Sequence, residues 1–127
     1  MKDQTHEDAR RQVELYLMTA RGRSVATKNS VDYPPEFIKK HKWRKFPGHS
    51  YDIVTSEREI IEIDDQDRHL HKEIMINDGI ATDYVETYLV PKGFKFYRLI
   101  KEYIVDKKGR LLDPPHHVAD YLRTNLF

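Results

Sequence analysis

Apolar residues near the start of the chain recur at helical spacing: Ala9, Val13, Tyr16, Leu17 and Ala20 form one stripe. The spacing predicts a helix over 5–20, with Thr5 as its cap and Glu7 and Asp8 in the first turn, where the dipole favours acids. Arg21-Gly22-Arg23 ends it. Residues 22–35 read as a loop closed by Pro34-Pro35, followed by a short helix from Glu36 to His41 and a turn at Pro47-Gly48. Tyr51–Thr55 and Glu59–Asp64 read as two strands joined by a tight turn at Ser56-Glu57-Arg58, the second strand carrying β-branched Ile60, Ile61 and Ile63. From His71 to Val90 the pattern is helical again, with Ile74, Ile80, Ala81, Tyr84, Val85, Tyr88 and Leu89 on the apolar face, until Pro91-Lys92-Gly93 stops it. Phe94–Leu99 alternates as a third strand that Ile100–Val105 can continue. Asp106-Lys107-Lys108-Gly109 is a turn, and Pro114-Pro115 opens a final helix from His116 to Asn125. This order gives an α/β fold: a small mixed sheet flanked by helices, in which the hairpin 51–64, a helix and a returning strand make a crossover unit.

A chain of 127 residues with 39% hydrophobic residues suits a single domain spanning 1–127. Lys and Arg number 22 against 21 Asp and Glu, which rules out a histone-like basic protein and an acidic disordered tail alike. There is no cysteine, so disulfides, cysteine-ligated zinc, iron–sulfur clusters and thiol nucleophiles are excluded. The apolar runs fall far short of the roughly 20 residues that span a bilayer, and Met1–Arg11 is polar, unlike a signal peptide. The expectation is a soluble cytoplasmic protein without a membrane partner.

The near-neutral total hides asymmetry. Residues 39–45 read Lys-Lys-His-Lys-Trp-Arg-Lys, a basic run around an aromatic that suits phosphate contact as well as it suits a solvated loop. Lys39, Lys40, Lys42, Arg44 and Lys45 are the candidate phosphate contacts, and Trp43 could stack on a base or anchor the loop. Lys95 and Arg98 on the third strand are further candidates, or simply decorate it. Residues 57–67 hold six acids against one base, Arg58.

The informative stretch is Asp52 to Asp78. Asp52 falls on one predicted strand, and Glu62 and Asp64 fall two apart on the next, hence on one face. A tight hairpin can set such carboxylates side by side, where they need a divalent cation or a raised pKa. Oxygen ligands suit Mg²⁺ or Mn²⁺, so Asp52, Glu62 and Asp64 are the candidate metal ligands. His69 and His71 follow, either of which could activate water or orient a phosphate, and Asp78 lies nine residues beyond His69. Taken singly, Glu62 could face water, Asp64 could cap a strand end, and both histidines could be ordinary surface residues.

Together, Tyr-Asp52-Ile-Val, Ile-Ile-Glu62-Ile-Asp64-Asp, His69, Asp78 and Lys-Gly93-Phe-Lys-Phe-Tyr-Arg98 resemble the PD-(D/E)XK nuclease superfamily over roughly residues 6–100. Within it, the pattern is most similar to the very-short-patch-repair (Vsr) endonuclease-like branch, including phage homing endonucleases with an E-D-x-H-D motif. The superfamily's E-x-K lysine is Asp64 here. The Vsr-like branch also lacks that lysine and uses histidine chemistry. The resemblance implies a restriction-endonuclease-like core, a Mg²⁺- or Mn²⁺-dependent endodeoxyribonuclease acting on double-stranded DNA, and a bacterial or phage-infected host cell. It implies an acid on the first helix, Glu7 or Glu14, with Glu14 preferred because it flanks the apolar stripe. Catalytic candidates are thus Asp52, Glu62, His69, Asp78, Glu14 and His71. Cutting both strands with so small a domain favours a homodimer. Two other functions stay open: a non-catalytic nucleic-acid-binding protein of the same fold, and a metal-dependent nucleotide hydrolase.

Overall fold

The computed structural model describes residues 4–26, 29–41 and 47–127, except for the side chain of His69. The elements are α1 (Gln4–Ala20), β1 (Ser30–Asp32), α2 (Pro35–Lys40), β2 (Gly48–Ser50), β3 (Ile53–Val54), β4 (Glu59–Asp64), α3 (Lys72–Tyr84), β5 (Lys95–Ile100) and α4 (Pro115–Asn125). The fold is mixed α/β, and no helix among the described residues is long and apolar enough to cross a membrane.

β4 is the centre of a three-stranded sheet ordered β3-β4-β5. It pairs antiparallel with β3, Ile53 opposite Ile61, and parallel with β5, Glu62 opposite Arg98. The parallel pair is reached through α3, which is the expected crossover. Both faces of β4 are covered. Ile61 and Ile63 join Ala9, Val13 and Leu17 of α1 and Val118 and Leu122 of α4 in one core, whereas Ile60 packs with Tyr51, Ala81 and Val85 on the other side. Coverage on both faces explains why Glu62 is buried rather than facing water.

Several expected boundaries shift. The strand predicted over 51–55 is reduced to Ile53–Val54, and Asp52 lies in the bend before it. Within the expected loop 22–35, Ser30–Asp32 pairs antiparallel with Gly48–Ser50 as a second, two-stranded sheet. These three-residue strands carry no apolar alternation, and Val31 finds its partner His49 18 positions away. The helix predicted to run to Val90 leaves α geometry at Tyr84 for a π-helical turn, Val85–Leu89, and a 3-10 turn, Val90–Lys92, closed by Gly93 at φ 94°. The third strand stops at Ile100, where Lys101–Tyr103 forms a 3-10 turn.

Candidate active site

The antiparallel register extends one step past Ile53–Ile61, bringing Asp52 opposite Glu62. The two acids clamp each other through the backbone. The Asp52 N–H donates to Glu62 Oε1 at 2.7 Å, and the Ile63 N–H donates to Asp52 Oδ2 at 2.7 Å. Both side chains are removed from water, 6% exposed for Asp52 and 2% for Glu62. The convergence of Asp52 and Glu62 expected from the sequence is therefore present, although Asp52 reaches it from a bend.

Two histidines outside the expected set complete the pair. His6 of α1, 3% exposed, places Nε2 at 3.2 Å from Asp52 Oδ1 and 3.2 Å from the Ile63 carbonyl. His49 of β2 places Nε2 at 3.1 Å from Glu62 Oε2. An ionised carboxylate only accepts, so the His49 ring donates there. His6 lies three positions before Ala9 on the buried stripe of α1, and a polar residue on that stripe is a signal the sequence did carry. His49 carried none, because its position depends on the β1–β2 pairing.

Asp52 and both histidines line an open cavity of about 910 Å³ that Tyr51, Asn29 and the start of α3 also bound. Among the described residues its walls carry Glu7, Asp32, Asp52, Asp64, Asp65 and Asp78 against Arg10 and Arg68. This acidic excess is felt: burial, then Asp64, raises the Asp78 carboxyl above its ordinary value despite Arg98 and Arg68. Burial, with the Glu62 charge adding to it, pushes the Tyr33 hydroxyl up to about 12.

Asp64 lies on the Glu62 face and lines the same cavity, and both its oxygens accept from Arg98 Nη1, at 2.9 and 3.0 Å. Arg98 also donates to Thr82 Oγ1 at 2.5 Å and is a structural partner of α3 rather than an open phosphate contact. Asp78 sits on α3 facing Arg68 at 3.3 Å. Glu14 is tied to Arg10 at 2.9 Å one turn away from the cavity, whereas Glu7, on the other side of the same arginine, lines it. His71 is 55% exposed at the start of α3, on the cavity rim and 3.9 Å from Asp67. The backbone of His69 lies in the 3-10 turn Arg68–Leu70. Lys95 is exposed on the Glu59 face, opposite the Glu62 face of the sheet. Lys39 and Lys40 are exposed on α2, Lys40 pairing with Asp83 at 3.0 Å. Lys42, Trp43, Arg44 and Lys45 lie outside the described residues.

Comparison with family models, curated proteins and solved structures finds no match to this chain. The chemistry therefore rests on the site itself. Among the described residues, no group of three or more histidines and acids converges as a ready metal cage. What the site offers is a buried carboxylate pair. Among the described residues Glu62 has no Lys or Arg partner, only a backbone N–H and an imidazole. Carboxylate oxygens suit a hard cation in kind, Mg²⁺ commonly takes one or two carboxylates and completes its shell with water and substrate phosphate, and of the pair it is Asp52 that lines the cavity.

Proposed function

We propose that this chain is a metal-dependent DNA endonuclease of the Vsr-like kind, hydrolysing phosphodiester bonds on a restriction-endonuclease-like core. The observation that supports it is Asp52, hydrogen-bonded through its backbone to the buried Glu62, in the wall of an open cavity whose lining carries an excess of acids. A phosphate diester cannot approach such walls without added positive charge. Mg²⁺ or Mn²⁺ would supply that charge, polarise the phosphoryl oxygen and lower the pKa of bound water.

In this reading Asp52 and Glu62 hold the cation, the backbone N–H groups of Asp52 and Ile63 fix both carboxylates, and Asp78, which lines the same cavity, orders water. His69, whose side chain lies outside the described residues, keeps its proposed role in activating water or orienting phosphate. Residues 39–45 hold the duplex backbone, which makes binding salt-dependent. A homodimer would bring two such sites to the two strands.

The test is cleavage of supercoiled plasmid with Mg²⁺, Mn²⁺ or EDTA. Nicked or linear product with either metal and none in EDTA is expected. Salt-sensitive duplex binding without cleavage under any metal would instead favour the non-catalytic module. Nucleotide hydrolysis without duplex binding would favour the hydrolase.

A further inference from the structure

We infer that Arg68 is the phosphate-binding residue of the cavity: its guanidinium, set in the wall between Asp64 and Asp78, takes a diester group of the DNA strand through the N–H groups that the fold leaves unused. The inference deepens the nuclease reading above and rests on it for the substrate.

A strand entering this cavity meets walls whose acids outnumber their arginines, and among the described residues only Arg10 and Arg68 bring a permanent positive charge to the lining. The two are held differently. Arg10 is saturated: Nη1 donates to Glu14 at 2.9 and 3.0 Å, and Nη2 and Nε donate to Glu7 at 2.5 and 3.4 Å, so every nitrogen of its guanidinium faces a carboxylate. The Arg68 side chain makes a single hydrogen bond among the described residues, from Nη1 to Asp78 Oδ2 at 3.3 Å. Its Nε stands 3.6 Å from Asp64 Oδ2, beyond hydrogen-bond range. Its Nη2 has no acceptor among them, and the side chain is 33% exposed.

Neither acid beside Arg68 depends on it. Asp64 accepts from Arg98 Nη1 with both oxygens, at 2.9 and 3.0 Å. Burial and then Asp64 raise the Asp78 carboxyl, and of the two guanidiniums that draw it back down Arg98 counts for more than Arg68. Arg98 is itself fixed by β5 and by Thr82 Oγ1 at 2.5 Å. The ion pairing that the fold requires is therefore supplied from the strand, and Arg68 is a second cation over the same acids, in the cavity wall. Its backbone, by contrast, is pinned. The Arg68 N–H donates to the Asp65 carbonyl at 3.1 Å, and the Arg68 carbonyl accepts from the His71 N–H at 3.0 Å, in the 3-10 turn before α3. A fixed backbone under a loosely held guanidinium is what a ligand contact requires. The guanidinium offers two parallel N–H groups to two phosphate oxygens, and such a clamp gains strength as charge builds on those oxygens during hydrolysis.

The test compares wild type with Arg68→Gln and Arg68→Lys. Affinity for a short fluorescein-labelled duplex is read by anisotropy in Ca²⁺ across a salt series, plasmid cleavage in Mg²⁺ is separated into kcat and KM, and thermal melts report folding. Arg68→Gln should flatten the log–log salt slope by about 0.9, the worth of one phosphate contact. Its kcat should fall about 10- to 100-fold, the scale of a lost charge-assisted hydrogen bond, with the melt unchanged because Arg98 still answers both acids. Arg68→Lys keeps the charge and hence the slope, but its kcat should fall about tenfold, since an ammonium cannot present two parallel N–H groups. The lysine variant preserves the test if the glutamine variant does not fold, and wild-type kcat in Arg68→Lys overturns the inference. So does an Arg68→Gln protein that keeps the wild-type slope and kcat, or one that melts lower while its slope stands, because the arginine would then serve the fold. A wild-type protein that binds duplex without cutting it ends the nuclease reading alone, and the slope comparison still decides the role of Arg68. One that binds no duplex overturns the inference and that reading together.

Discussion

Replacing Asp52 by asparagine separates the charge of this residue from its place in the fold. Asparagine keeps the volume and one carbonyl-type oxygen, which can still accept the Ile63 N–H that Asp52 Oδ2 accepts at 2.7 Å. The amide nitrogen then faces His6 Nε2, 3.2 Å from the present Oδ1, and donor meets donor unless the imidazole changes tautomer and gives up the Ile63 carbonyl. One hydrogen bond is exchanged, a cost of about 1 kcal/mol, or roughly 4 °C in melting temperature for a domain of this size. The negative charge, by contrast, is removed entirely. Cleavage is expected to fall at least about 100-fold, which corresponds to about 2.7 kcal/mol of transition-state stabilisation. Circular-dichroism melts and nicking time courses in Mg²⁺ on the same preparations measure both sides. Asp52→Leu serves as the contrast, because it orphans the buried Ile63 N–H and should melt lower by a further 1–3 kcal/mol equivalent, roughly. Full nicking by Asp52→Asn, or undiminished wild-type nicking in EDTA, would end the assignment of Asp52 as a cation ligand.

Gly48→Ala pushes a Cβ to 2.0 Å from the Val31 oxygen, so the β1–β2 pair must open at an overpacking cost of about 1–3 kcal/mol, read as a lower melting temperature together with reduced cleavage. An unchanged melt would mean the β1–β2 pair is loosely held. For Glu59, burial pushes the carboxyl up, but hydrogen bonds from Arg23 and Thr55 outweigh it and hold the group below its ordinary value of 4.5. A depressed folded value gives stability that is complete above the unfolded pKa and lost as pH falls through the folded one, so the wild type's advantage over Glu59→Gln in urea melts at neutral pH should shrink as the pH falls below the ordinary carboxylate range. A pH-independent difference would show that the ionised carboxylate is not what stabilises. Replacing Lys42, Arg44 and Lys45 together should weaken duplex binding and flatten the log–log salt slope by about 0.9 for each phosphate that is no longer neutralised. An unchanged slope would place the duplex on another surface.

The elements legible in advance are those whose signal is local. The stripe Ala9, Val13, Leu17 fixes α1 and its buried face, and Glu59–Asp64 with three isoleucines fixes β4 within its observed bounds. The proline and glycine stops before β5 and α4 mark where those elements begin. Spacing also placed Asp52 and Glu62 together, because a short turn between adjacent strands leaves few registers. Other features had no local cause. β1 and β2 are polar three-residue segments that become strands only by finding each other. Asp64 carries the same alternation as Glu62, and only the arrival of Arg98 from the parallel strand gives Asp64 a guanidinium partner. The histidines show the same division. His69 and His71 stand out along the chain because they follow the acids, whereas the fold brings His6 from 46 positions before Asp52, and His49 from the two-stranded sheet, into hydrogen-bond range. Periodicity and short turns act over a few residues, so most helices, the strand β4 and the meeting of two carboxylates were written into the chain. The partners of those carboxylates were settled by tertiary packing, because hydrogen bonds at about 3 Å depend on where distant elements dock and leave no periodic trace along the chain.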